Sequence, residues 1–312
     1  MNKNSIGCEN IRRFENAADY RKNFVIREQI DKYIPGGNHF IDEASIFKTL
    51  RDAKANPAND PVRIREILAK SRAIETLSLE DTATLIHVTD PALLKEMADT
   101  ALAIKKAVYD NRIVMFAPLY MSNLCVNRCT YCGFRCENDD QKRRMLTMDE
   151  VKQEIEVLAG KIGHKRLIAV YGEHPDTSTE YIAETIRTAY AHQVKSPKGT
   201  PVGIRRVNVN AAPLPIEDLR VLKKVGIGTF QVFQETYHRD TYAAVHLSGK
   251  KRDYDWRASA LDRAMQAGVD DVGMGVLFGG MKVQTGFRSS AWCRLRSRRG
   301  AKPQRREPRR RG

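Results

Sequence analysis

The sequence predicts an α/β protein: a partial (β/α) barrel of the TIM type with about five strands, a helical N-terminal extension and a disordered basic C-terminal tail. Three observations predict it. From residue 112 to 280, β-branched and aromatic runs alternate with amphipathic stretches long enough to force parallel strand pairing, because a parallel neighbour cannot be reached by a tight turn. Residues 40–110 carry only helical periodicity, and beyond 280 periodicity stops and arginine dominates. The expected domains are therefore 1–111, 112–280 and 281–312.

In the extension, helices are expected over 40–55, 61–74, 78–88 and 91–110. In the last, Asp90 can cap, Pro91 suits the first helical position, and Leu94, Met97, Ala101, Ile104 and Val108 recur at helical spacing. RIVMFAPLYMS (112–122) reads as the first strand, followed by a helix over 147–162 with Thr147 and Glu150 as a capping box. A second strand (166–173) precedes a helix over 178–193, with Thr177 and Glu180 in the same arrangement. A third strand (204–212) leads to helix 216–225, a fourth (229–237) to a helix containing 258–268, and a fifth spans 271–280. The pattern then stops, so the last third of an eight-stranded barrel is expected to be missing and the fifth strand to form an edge.

Of 312 residues 42% are hydrophobic and 29% charged, ordinary values for a globular chain. The net charge of +15 is unevenly spread: residues 281–312 hold twelve Lys/Arg against Glu307 alone. The tail is read as a solvated basic segment, with a nucleic-acid-binding arm or an out-of-frame translation as alternatives; nucleic acid is not the expected partner. No apolar run approaches the roughly 18 residues of a spanning helix, and no secretory signal opens the chain, so no membrane partner and a cytoplasmic location are expected.

The sharpest chemical signal is NLCVNRCTYCGFRCEN, in which Cys125, Cys129 and Cys132 are spaced C-x3-C-x2-C, with Cys136 four residues on. Thiolates are soft ligands suited to iron–sulfur clusters and zinc, and this loop follows the first strand, at the end of the sheet where parallel α/β folds bind ligands. A four-thiolate zinc knot that includes Cys136 is the alternative. Three thiolates on a 4Fe-4S cubane would leave one iron open to an external molecule.

This spacing, with the CTYCGF run, resembles the radical S-adenosylmethionine superfamily. APLYMSNLCVNRCTYCGF, GHKRLIAVYGEHP, IRRVNVNAA, GIGTFQVFQETYH and KRDYDWRASALDRAMQAGVDDVGMGVLFG extend the likeness to its tyrosine lyases of FeFe-hydrogenase maturation (HydG type). The resemblance implies that Cys125, Cys129 and Cys132 hold a 4Fe-4S cluster whose open iron takes S-adenosyl-L-methionine. It also implies cleavage of tyrosine to p-cresol and dehydroglycine, a reduced flavodoxin- or ferredoxin-type electron donor, and hydrogenase maturation proteins as partners. The 2-iminoacetate synthase of thiamine biosynthesis is the runner-up, and a non-catalytic nucleic-acid-binding protein the alternative of another class.

By the same resemblance Tyr131 would lie against the adenine, and Gly172 and Glu173 would receive the methionine ammonium, with Tyr171 standing where relatives have a first Gly. Glu235 would bind ribose or substrate, and Arg257 the methionine carboxylate unless it is a surface residue. Arg205 and Arg206 point to opposite faces of a strand; Arg206 is taken as the substrate-carboxylate ligand, with Tyr237 and His238 as further pocket residues. The family's auxiliary cluster motif is absent, since Cys293 alone follows Cys136, so that cluster is not expected and tyrosine cleavage is expected to be impaired.

Overall fold

The computed structural model describes residues 25–34, 41–55 and 60–278. The chain divides into two compact units. The first comprises, among described residues, 41–55, 60–113 and 277–278; the second comprises 25–34 and 114–276.

The first unit holds helices α1 (Glu43–Ala55), α2 (Pro61–Arg72), α3 (Leu79–Ile86) and α4 (Pro91–Tyr109). Each start from α2 onward has a side-chain cap: Asp60 accepts from Val62 N and Arg63 N, Ser78 and Asp81 form a capping box, and Asp90 accepts from Ala92 N and Leu93 N. Asp81 is buried with its charge matched by Arg63 (2.6 Å) and Lys70 (2.8 Å). Ile64, Leu68, Val88 and Leu93 form one core cluster, with Leu85 and Met97 packed on it. The face expected of α4 holds at Met97 and half-buried Ile104 but is otherwise off by one position: Leu93 and Thr100 are buried, whereas Leu94 and Val108 are each 44% exposed. Leu93 and Leu94 fit the helical period equally well, and it is Leu93 that meets Ile64 and Leu68.

The second unit runs β1 (Ala117–Ser122), α5 (Met148–Ile155), β2 (Arg166–Tyr171), α6 (Thr179–Ala191), β3 (Val194–Lys195), β4 (Pro201–Val202), β5 (Arg206–Asn210), α7 (Ile216–Val225), β6 (Thr229–Gln231), α8 (Arg239–Val245), α9 (Tyr254–Ala258), α10 (Ala260–Gln266) and β7 (Asp271–Gly273). The main sheet has the order β1-β2-β5-β6-β7, all parallel; β3 and β4 form a separate antiparallel hairpin. This is the sequential strand order of a partial (β/α) barrel. Alternation gives the sheet two faces: Leu119, Met121, Leu167, Ala169, Val207, Val209 and Phe230 are buried, while Tyr120, Ile168, Val170, Asn208, Asn210 and Gln231 stay half-buried or exposed. The buried row answers the apolar faces of the helices, where Ile155, Ile186, Leu219, Leu222 and Leu261 are buried.

Several expected boundaries shift for identifiable reasons. β1 begins at Ala117, because Ala117 pairs with Leu167 near the start of β2, and residues Ile113 to Phe116 lie outside the sheet and are exposed. The helix expected over 147–162 keeps its Thr147–Glu150 capping box, but its second half, Glu156–Ile162, is a π-helix that ends at left-handed Gly163. The cap of α6 is Ser178, not Thr177, whose hydroxyl instead donates to Ser122 Oγ (3.3 Å). The expected long helix containing 258–268 breaks at Ser259, whose hydroxyl bonds to Asp255 O and so ends α9. β6 ends at Gln231, and past it Glu235 turns the chain in a left-handed conformation (φ 67°). The expected fifth strand is confined to β7 plus one bridge between Val276 and Glu235. Residues 1–24 and the expected tail, 281–312, lie outside the described residues.

Candidate cofactor site at the carboxyl ends of the strands

The cysteines occupy the loop that leaves β1 at Ser122. Main-chain bonds fasten this loop to the sheet, Val126 N donating to Glu173 O (2.7 Å) and Leu146 N to Met121 O (2.9 Å). Others fasten it to the end of α8 and the segment after it: Thr130 N to Val245 O (3.0 Å), Leu247 N to Arg128 O (2.9 Å) and Arg128 N to Ser248 O (3.2 Å). Arg143 donates to the carbonyls of Asn123, Phe134, Arg135 and Asn138, so an irregular loop has its acceptors satisfied internally.

Gly172 is essential to this seating. A Cβ there would stand 2.1 Å from Leu124 O and 2.8 Å from Leu124 C. The close approach that this glycine permits in the structure is that of the cysteine loop. Tyr171 turns to the helix side, where its hydroxyl meets Thr185 Oγ1 at 2.7 Å.

Cys125, Cys129 and Cys132 are free thiols, Cys129 being buried and the others half-buried. Burial pushes the Cys125 thiol up; it raises that of Cys129 to about 11, with Lys251 acting in the opposite direction. The charges of Cys125 and Cys132 further raise Cys129, so the three lie within electrostatic reach of one another. Among the described residues no three His, Cys, Asp or Glu side chains converge on one ion. The ligands of a cubane bind separate irons and need not converge, and the donor set of three neighbouring thiols on one loop fits such a cluster. Cys136 is buried against Val126, its N–H donating to Asn127 O (3.0 Å).

Charged and aromatic groups crowd around these thiols. Glu173 is 8% exposed, and its carboxylate accepts from Asn127 Nδ2 at 2.7 Å. Lys251 donates to Glu235 Oε1 at 3.2 Å and lies 5.5 Å above the Tyr131 ring; burial, then Arg257, push its ammonium down. Arg257, 8% exposed, is not a surface residue: its Nε donates to Phe233 O (2.9 Å). The Tyr131 hydroxyl lies 2.7 Å from His246 Nε2, and His246 Nδ1 lies 2.9 Å from Tyr242 O. A carbonyl only accepts, so Nδ1 carries the proton and Nε2 accepts from Tyr131. Burial, with Lys251 and Arg257, lowers the pKa of His246 to about 3, which keeps it neutral.

One expected site residue, Arg206, is placed elsewhere. Arg206 is the first residue of β5, at the amino end of the sheet, where it bonds to Asp271 (2.7 Å), Thr229 (3.2 Å) and Asn208 (3.1 Å). It faces the expected side but sits at the opposite end from the cysteine loop, which removes it from a substrate site there. Tyr237 and His238 follow the left-handed turn at Glu235 and lead into α8. Tyr237 is buried with its carbonyl accepting from Tyr254 Oη (2.9 Å), and His238 Nδ1 meets Thr241 Oγ1 at 2.6 Å. Asn127, His246 and Lys251 are the residues of this site that sequence reasoning missed; the nearest local cue is Gly249, which the structure places against Asn127 in a left-handed turn.

A family model described as the radical SAM superfamily matches residues 119–285. The crystal structure of HydG, a maturase of the [FeFe]-hydrogenase, is 43% identical with a TM-score of 0.77, over 84% of this chain and 56% of that one. The HydG maturase of Carboxydothermus hydrogenoformans is 34% identical with a TM-score of 0.71, over 83% and 59%. The 2-iminoacetate synthase of Salmonella typhimurium is 34% identical over 204 residues, 65% of this chain and 51% of the relative. The chain thus spans 51–59% of the length of these three proteins. No described helix is long and apolar enough to cross a membrane.

Proposed function

The chain belongs to the radical SAM superfamily, and on that premise we propose that Cys125, Cys129 and Cys132 hold its 4Fe-4S cluster and that the chain is a carbon–carbon lyase acting on tyrosine. The family's cofactors are the cluster and S-adenosyl-L-methionine. When reduced, the cluster supplies the electron that cleaves the sulfonium and so the adenosyl radical that begins the reaction.

The observation that carries the reading is the loop itself: three thiols at the carboxyl ends of parallel strands, ringed by buried groups of both signs. Glu173 would hold the methionine ammonium, its carboxylate already oriented by Asn127. Arg257 would take the carboxylate, since its terminal guanidinium nitrogens have no hydrogen-bond partner among the described residues. Tyr131, fixed by His246, would cover the adenine, and Glu235, paired with Lys251, would meet the ribose or substrate. Tyrosine, hydrogenase maturation proteins and a flavodoxin- or ferredoxin-type electron donor belong to the same reading. The identity of 43% over 84% of the chain favours the maturase type over 2-iminoacetate synthase, which would begin with the same cleavage.

Anaerobic reconstitution with iron and sulfide, followed by S-adenosylmethionine, tyrosine and a strong reductant, tests it. The expected result is a reduced-cluster EPR signal that changes on adding S-adenosylmethionine, then 5′-deoxyadenosine and p-cresol. Deoxyadenosine without p-cresol would remove tyrosine lysis; one bound zinc and no iron would overturn the cluster assignment.

A further inference from the structure

Asn127, midway between Cys125 and Cys129, is 2% exposed and joins the cysteine loop to the end of β2 and to the turn at 249–251. Its Nδ2 donates to Glu173 Oε2 at 2.7 Å and to Cys125 Sγ at 3.5 Å. Its Oδ1 accepts from Lys251 N at 2.8 Å. The amide orientation follows from its partners: a main-chain N–H only donates, and a carboxylate accepts, so oxygen must face Lys251 and nitrogen must face Glu173. Gly249, with φ 85°, closes the turn onto this side chain; a Cβ there would lie 2.4 Å from Asn127 Oδ1 and 2.8 Å from Asn127 Cα. The amide is thus held from both sides in one rotamer, with its N–H groups aimed at a carboxylate and a sulfur.

We propose that Asn127 is a positioning residue that couples cofactor binding to the electronic state of the cluster. One N–H aims the Glu173 carboxylate, and the other donates to the sulfur of Cys125. A hydrogen bond to a cluster thiolate stabilises the more negative, reduced state and raises the reduction potential. Loss of the donor therefore makes the cluster harder to reduce and frees the carboxylate to rotate. The inference rests on the cluster assignment proposed above.

Asn127→Asp and Asn127→Ala in the full chain, reconstituted with iron and sulfide, separate this role from a structural one. Asp keeps the acceptor for Lys251 N but removes both donors; Ala removes everything. A residue that merely braces the 249–251 turn predicts lower cluster retention in the Ala variant, with the clusters that remain at the wild-type midpoint. Positioning predicts that both variants, among chains that carry a cluster, show a more negative midpoint in an EPR-monitored redox titration. It also predicts that at least ten times more S-adenosylmethionine is needed for half of the EPR change. An Asp variant with the wild-type midpoint and wild-type dependence on S-adenosylmethionine overturns the inference while leaving the cluster assignment intact. A wild-type chain with no cluster, or none that responds to S-adenosylmethionine, overturns both. If neither variant takes up iron, pulsed EPR of the wild-type chain labelled with side-chain 15N-asparagine decides: a 15N coupling to the reduced cluster supports the bond, and its absence overturns it.

Discussion

The two ends of the parallel sheet are both polar, in opposite ways. At the amino ends, Arg206, Asn208, Thr229 and Asp271 satisfy one another: Arg206 bonds to the other three, Thr229 Oγ1 donates to Asp271 (2.7 Å), and Thr229 N donates to Asn208 Oδ1 (3.0 Å). Arg206, Thr229 and Asp271 start adjacent strands and Asn208 lies two residues into the first of them, so register brings them together. At the carboxyl ends, buried Cys129, His246 and Arg257 share one region with half-buried Lys251, the thiol pushed up to about 11, the imidazole down to about 3 and the ammonium below its ordinary value. A polar network that neutralises itself holds a fold together. One whose groups are pushed off their ordinary pKa values by burial is where a functional site is to be sought.

The strongest test of that contrast is Cys129→Ala, which is expected to abolish cluster retention, measured as iron per chain and loss of the reduced EPR signal. Cys136→Ala should retain both; equal loss from the two variants would favour a four-thiolate site. Gly172→Ala comes next. The new Cβ, 2.1 Å from a backbone oxygen, has no flexible neighbour to displace, so the cysteine loop must lift from β2 at a cost of about 1–3 kcal/mol or more. Iron uptake and the urea midpoint should fall together, and unchanged values for both would mean that the loop is not seated on β2 as described. Glu173→Gln is expected to leave iron uptake near normal. A charge-assisted hydrogen bond contributes roughly 1.5–3 kcal/mol, so S-adenosylmethionine should bind on the order of ten- to a hundredfold more weakly, read from the concentration dependence of the EPR change. Wild-type dependence would remove Glu173 from the cofactor site.

What the sequence reveals follows from how far apart the interacting residues are. The cysteine spacing, the strand–helix alternation and the capping residues Asp90 and Thr147 are local signals, and the structure carries each of them. Strand alternation gives the face on which a side chain lies but not its height along the barrel axis, which is why Arg206 reads as a pocket residue and proves to be at the other end. Asn127 escapes for a different reason: its partners are 46 and 124 residues away, at Glu173 and Lys251, and an asparagine in a loop reads as an ordinary turn residue. Lys251 lies in the run KKR, which reads as solvated surface, although the fold packs it, half-buried, against Tyr131 and Glu235. Tyr237 and His238 read as strand-end residues because nothing in FQETYH marks the left-handed turn that a non-glycine, Glu235, makes.

The smallest expected effect is at the amino end, and it bears most directly on whether the two ends act independently. Arg206→Met removes a pair whose side chains are 33% and 49% exposed, so solvent screening limits its loss to about 1 kcal/mol or less, a melting shift of roughly 2–4 °C at most. Asp271 can turn to water once its partner is gone, and the methionine stem retains much of the packing of the arginine. Iron uptake, cluster midpoint and the response to S-adenosylmethionine should all match wild type. A changed response to S-adenosylmethionine with an unchanged melting temperature would break the contrast, because the amino-end network would then be felt at the far end of the strands. A fall in stability alone keeps that network structural.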